Sequence, residues 1–141
     1  MPNTSLAALT IVAGLSIGAC TPSVPPPPPA NAVALVGPGA YDLRIDDVTQ
    51  ELRDALEARH GPLEFKSYKI PLPTAWATIN AYYQGALSKW KAEPALPKAI
   101  RAAHGRAWQQ GGTLFAIALI DKPVPGEDRD YKVLVVATNP Q

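Results

Sequence analysis

The chain has 141 residues, with 13 Lys and Arg against 12 Asp and Glu, a net charge of +1, one Cys, two His and 16 Pro. That length holds one domain with appendages, and the near-neutral balance argues against a dedicated nucleic-acid binder, which carries a basic excess. One cysteine excludes an internal disulfide; with only two histidines beside it, no metal or other cofactor is expected. No charged side chain precedes Asp42, and half of the prolines lie at or before Pro38. This asymmetry divides the chain into a leader, residues 1–19, a proline-rich tether, residues 20–40, and one globular domain, residues 41–141.

Residues 6–19 (LAALTIVAGLSIGA) are uncharged and mainly apolar. A membrane-spanning helix needs about 20 such residues, so the run has the length of a signal-peptide core. It ends in Ile17-Gly18-Ala19-Cys20. Aliphatic, small, small, cysteine in that place resembles the lipobox of bacterial lipoprotein precursors. The resemblance covers the first twenty residues. It implies that the signal peptide is removed before Cys20, which becomes the mature N-terminus with a diacylglycerol group on sulfur and an acyl chain such as palmitate on nitrogen. Two or three chains hold a protein on a membrane where one holds it marginally. Lipid attachment at Cys20 also accounts for a lone cysteine in an exported chain. The pattern departs from the class in its first ten residues, which contain no Lys or Arg. By the same resemblance, Thr21 in place of Asp implies the outer membrane of a Gram-negative cell, facing the periplasm. Gly14-Leu15-Ser16-Ile17-Gly18 also fits the serine-hydrolase elbow pattern, but that motif needs a folded strand-to-helix turn with Asp and His partners. A cleaved leader offers neither.

In the tether, residues 25–29 are five consecutive prolines. They favour an extended polyproline helix of about 3.1 Å per residue and read as a spacer, able when fully extended to lift the domain on the order of 50 Å from a membrane. The domain opens with a helix capped by Asp47, with Gln50 as the reciprocal member of the box. Val48, Leu52, Ala55 and Leu56 form its apolar stripe, and His60-Gly61-Pro62 stops it. Residues 63–70 (LEFKSYKI) alternate in hydropathy with a change of phase near Ser67, which predicts a strand with a bulge or twist. Residues 74–91 are the main helix: Trp76, Ile79, Tyr83, Ala86, Leu87 and Trp90 fall at helical spacing, with Thr74 as cap. Pro97 opens a short helix that ends at Gly105, or a strand takes its place; Gly111-Gly112 turns one strand into the next. Residues 113–121 (TLFAIALID) read as a central strand, 122–129 as a loop and 131–138 (YKVLVVAT) as the closing strand. The fold class is α+β: a small two-layer sandwich, mainly antiparallel sheet, with the 74–91 helix packed on one face.

Chemistry-bearing residues are few. Asp46 and Asp47 serve a helix start, and His60 and His104 each precede a glycine at an expected helix end, so all four read as structural. Lys89, Lys91, Lys98, Arg101 and Arg106 form a basic middle opposed by Glu93. If they share a face, they can meet an acidic protein, lipid phosphates or an anionic wall polymer. Trp108, beside Arg106, is the tryptophan most suited to a surface contact. The candidate contact set is therefore Lys98, Arg101, Arg106 and Trp108, with Cys20 for the lipid and no catalytic or metal site. The expectation is a non-enzymatic, lipid-anchored envelope protein that binds a protein partner as a scaffold or accessory subunit. Binding of an anionic envelope ligand is the alternative and a hydrolase the third reading.

Overall fold

The computed structural model describes residues 23–37, 43–96, 99–100, 103–121 and 130–140. In chain order the elements are β1 (Val33–Ala34), α1 (Leu43–His60), β2 (Glu64–Pro71), α2 (Trp76–Ala86), β3 (Lys91–Ala92), β4 (Ala99–Ile100), β5 (Ala103–Gln110), β6 (Thr113–Ile120) and β7 (Tyr131–Thr138). They build one sheet in the order β1-β2-β7-β6-β5-β3, with β4 also on β5. Every described pairing is antiparallel. The class is α+β.

All eight residues of β6 are buried. Successive side chains of a strand point to opposite faces, so such a strand needs cover on both. On one face Leu114, Ala116, Ala118 and Ile120 pack with Val133, Val135 and Ala137 of β7 under Val48, Leu52 and Leu56 of α1. On the other, Phe115, Ile117 and Leu119 pack with Ile70, Trp108 and Leu134 under Ile79 and Tyr83 of α2 and Leu87 just beyond its end. The alanines beneath α1 leave room for its leucines, whereas α2 rests on aromatic rings. The two-layer expectation is corrected: the sheet is the middle of three layers, with one helix on each face.

Both helices differ from expectation at their ends. α1 begins at Leu43, ahead of the expected cap, so Asp47 is an exposed residue within the helix and Gln50 donates its amide to Asp54 Oδ1 (2.8 Å). Ile45 packs on the same core as Val48 and Leu52, and extending that stripe backwards favours the earlier start. The stop is as read: Gly61 takes φ +78°, and its N–H reaches Glu57 O at 2.9 Å. α2 is shorter than 74–91. Ala75 holds the N-cap position without a side-chain bond, and Thr74 instead offers its carbonyl to Lys132 Nζ (2.6 Å). The helix ends at Ala86 because the chain must turn through 87–90 to lay Lys91–Ala92 along β5. Trp90 still packs on the α2 core, from the turn.

The phase change in β2 is no bulge. Glu64 through Pro71 pair one for one with Thr138 through Tyr131. Leu63 and Phe65 serve the α1 core, Tyr68 and Ile70 the α2 core, so the strand changes its packed side along its length because each face of the sheet carries a core, while Glu64, Lys66 and Lys69 stay exposed. No described part of residues 97–105 is helical: Ile100 pairs with Ala103 and Ala99 with His104. Gly105 lies under Ile100 and Leu96, whose side chains would sit 3.3 Å from a Cβ there. The Gly111-Gly112 turn is borne out, with φ of +54° and +86° and Gln110 opposite Thr113, as a two-residue turn with two left-handed positions requires.

The proline-rich segment is part of the domain. Tyr82 of α2 donates its hydroxyl to Pro27 O (2.9 Å) and lies 3.4 Å from Pro28 O. Ala32 packs against the α2 core, β1 pairs with Lys69 and Tyr68 of β2, and Leu35 packs against the α1 core. Residues 25–35 therefore form a strap that starts on one face, crosses the β2 edge and finishes on the other. Between strap and β2 runs a cleft of about 780 Å³ that includes Lys66, Phe65 and Val136 in its lining. Over residues 25–35 the expected free spacer is instead packed on the domain.

Leu56→Ala and Phe115→Ala test the two cores separately. Each is expected to cost about 2–5 kcal/mol in urea unfolding. Because the two side chains lie on opposite faces, the double variant should show the sum of the single losses.

Candidate functional site

Two clusters of polar side chains flank β5. The first joins α1 to the turn after β3. Glu93 is 4% exposed, and its N–H bonds Ala107 O at 2.8 Å. Its Oε1 accepts from Arg59 Nη1 (3.1 Å) and from the N–H of Ala95 (3.0 Å), and its Oε2 accepts from His60 Nε2 (2.8 Å). Burial alone would push the Glu93 carboxyl up. The Ala95 N–H, the His60 bond and the charges of His60 and Arg59 outweigh it and hold the group below its ordinary 4.5. His60 is thus at a helix end, as read, and its purpose there is to satisfy a buried carboxylate. Asn139 completes the latch: it accepts from Leu114 N (2.7 Å) and donates to His60 O (3.1 Å) and Gly112 O (2.9 Å).

The second cluster is on the α2 face. Arg106 sits in the middle of β5, opposite Ile117. Its Nη1 donates to Asn80 Oδ1 at 3.2 Å. With the Gln84 amide oriented by its hydrogen bonds, that side-chain oxygen accepts from Nη1 (2.5 Å) and Nη2 (3.1 Å). The guanidinium carbon lies 5.2 Å from the centre of the Trp108 ring. Trp76, Asn80 and Gln84 recur every fourth residue along α2, so one helical stripe presents all three towards β5. Trp76 stacks on His104 with centroids 5.7 Å apart, and His104 Nε2 is 3.0 Å from Asp121 Oδ2. Among the described residues no carboxylate pairs with Arg106. A cleft of about 530 Å³ opens here, lined by Trp76, Asn80 and Arg106 on one side and by Pro94, Leu96 and Gly105 on the other.

Of the expected contact residues, Arg106 lines this cleft. Trp108 does not reach the surface: it is 3% exposed, packed beside Phe115 and Tyr83 with centroids 6.5 Å from each. Its position opposite Phe115 in the β5–β6 ladder sends it into the α2 core, which corrects its reading as a contact. Lys98, Arg101 and Cys20 lie outside the described residues. The described members of the basic middle, Lys89, Lys91 and Arg106, do not gather on one face. Lys91 pairs with Gln109, three residues from Arg106 on β5, and an odd spacing puts them on opposite sides of the sheet. Lys89 and Lys91 line a separate surface recess with Gln109 and Gly111. His104 is in a strand, not at a helix end. The four-residue spacing of Trp76, Asn80 and Gln84 is visible in the sequence, but its meaning as a site depends on the strand that brings Arg106 across.

A third feature is the outer edge of β1. In the described residues no strand lies beyond it. Leu35 N bonds Ser67 O, so by alternation Ala34 turns its own N–H and C=O outwards. Val33 is 62% and Val36 79% exposed.

Among the described residues no helix is long and apolar enough to cross a membrane, and no group of three or more His, Cys, Asp and Glu is placed to hold a metal ion.

The Glu93 cluster sets a pH dependence. A carboxyl held below its ordinary value in the folded chain stabilises the fold fully above about pH 5 and loses that contribution as pH falls through the folded value. Glu93→Gln is expected to cost about 1–3 kcal/mol at pH 7 and to flatten the acid limb of a thermal-stability profile measured from pH 7 to pH 3. An unchanged acid limb would refute the assignment. In comparisons with protein-family models, curated proteins and solved structures, no match to this chain was found.

Proposed function

We propose that this chain is a lipid-anchored, non-enzymatic module of the cell envelope that binds a protein partner by strand addition at β1. The anchor rests on the lipobox resemblance at Ile17-Gly18-Ala19-Cys20, and the outer membrane facing the periplasm is the location it implies. The observation that carries the partner is the β1 edge. Soluble proteins blunt such edges by keeping them short or with lysine, proline within the strand, bulges or a covering element, and β1, two residues long, uses only the first of these. Here the edge carries uncharged, exposed Val33 and Val36 around the outward backbone of Ala34. An extended, apolar segment of a partner satisfies that backbone and covers the valines.

The docked strap shapes this role. With the lipid on Cys20, only residues 21–24 separate the anchor from the proline run, a reach of less than about 20 Å. The domain is therefore presented beside the membrane rather than on a long leash. Its β1 edge, continuous with the strap, lies close to the anchored end of the chain.

The test is quantitative co-purification after mild crosslinking in intact cells, comparing the native chain with Cys20→Ser and Ala34→Pro. The Ala34 N–H faces away from β2, so proline there deletes an outward donor and leaves the β1–β2 ladder intact. Ala34→Pro should stay in the membrane fraction and recover about tenfold less partner, whereas Cys20→Ser should leave that fraction. Equal recovery with Ala34→Pro overturns the edge reading. Retention of Cys20→Ser on the membrane overturns the anchor.

A further inference from the structure

We infer that the cleft between α2 and β5 is a binding site for a carboxylate, held side-on by Arg106. A guanidinium has five N–H donors in a fixed fork. At Arg106 the two on Nη1 go to Asn80 and Gln84, and the Nη2 hydrogen nearest Nη1 shares the Gln84 oxygen. That leaves Nε–H and the adjacent Nη2–H, two parallel donors without a protein acceptor among the described residues. Their spacing is that of a carboxylate's two oxygens, the pairing in which arginine outperforms lysine.

The surroundings suit that ligand. Both groups that fix Arg106 are neutral amides, so its charge is oriented without being cancelled. Rotation is further limited by the Trp108 ring beneath it. Glu93 also lines the cleft, but its carboxylate is engaged by Arg59 and His60, and nearby Asp121 is engaged by His104. The opposite wall, Pro94 and Leu96, is apolar, and Trp76 adds an aromatic side. At about 530 Å³ the cleft has the size of sites that take small molecules or a few residues of chain. The ligand class is a carboxylate on a compact, partly apolar body, either a free small acid or the C-terminal end of a peptide. The site lies at the outer edge of β5, between Trp76, Asn80 and Arg106 on the α2 side and Leu96 and Gly105 on the α1 side, away from the β1 edge, and its existence does not depend on strand addition there.

The experiment is NMR titration of the isotope-labelled full-length chain, reading the Arg106 Nε–H resonance directly. The probes are benzoate, N-acetyl-Ala-Leu with a free C-terminus, the same dipeptide as its C-terminal amide, and inorganic phosphate. A saturable shift with benzoate and the free-acid peptide, absent with the amide, supports a general carboxylate site. Saturation with the free-acid peptide alone supports a peptide-end site. Arg106→Lys should weaken the responding probe at least about tenfold, followed on backbone resonances of Asn80 and Gly105, with the remaining spectrum unchanged. Equal response to the amide or to phosphate overturns the carboxylate assignment. So does the absence of saturation for both acids up to about 10 mM, or undiminished binding by Arg106→Lys.

Discussion

Everything in this molecule is arranged around a strand that has no polar side. β6 buries each of its residues, and two faces of one strand cannot be hidden by a single layer. Two helices of different character meet the need. α1 brings aliphatic side chains down onto alanines; α2 brings a tyrosine and an isoleucine onto Phe115, Ile117 and Trp108. β2 and β5 adapt to the two cores in turn. β2 feeds one core with its first half and the other with its second, and β5 alternates small residues towards α1 with large or charged ones towards α2.

That double burial was present in the sequence as the unbroken run TLFAIALI, which lacks the alternation of a half-exposed strand. The elements with strong periodicity or obligatory turn chemistry were legible for the same local reason: the Val48-Leu52-Leu56 stripe, the two-glycine turn, the β-branched closing strand. What could not be read locally was set by partners distant in the chain. The phase slip in β2 looks like a bulge until both faces are known to be covered. Ala103-His104-Gly105 looks like a helix end until Ile100 and Leu96 lie over the glycine. The proline run looks like a spacer because nothing within it announces Tyr82.

The candidate site follows the same division. Arg106 stood out by its charge, but whether it was a loose surface cation or a fixed one depended on Asn80 and Gln84, more than twenty residues away. For Trp108 a single parity separates surface from core, and its register opposite Phe115 decides that it is core. Glu93 reads in sequence as the acidic exception in a basic stretch. In the fold it is the buried anion that ties the end of α1 to the edge of β5, with Arg59 and His60 supplied from the helix terminus. Both charged clusters thus arise where a helix meets β5, the strand whose outer edge is paired only in pieces, by β3 and β4.

The strap gives the molecule a mechanical direction. Tension applied at the N-terminal side of residue 25 loads the Tyr82 contact with the proline carbonyls first, then the short β1 ladder, one bond after another in the manner of a zipper. Peeling residues 25–37 would lengthen the chain by on the order of 40 Å while both cores keep their helices. A pulled copy would therefore extend before it unfolds, and the edge occupied by β1 would pass to β2.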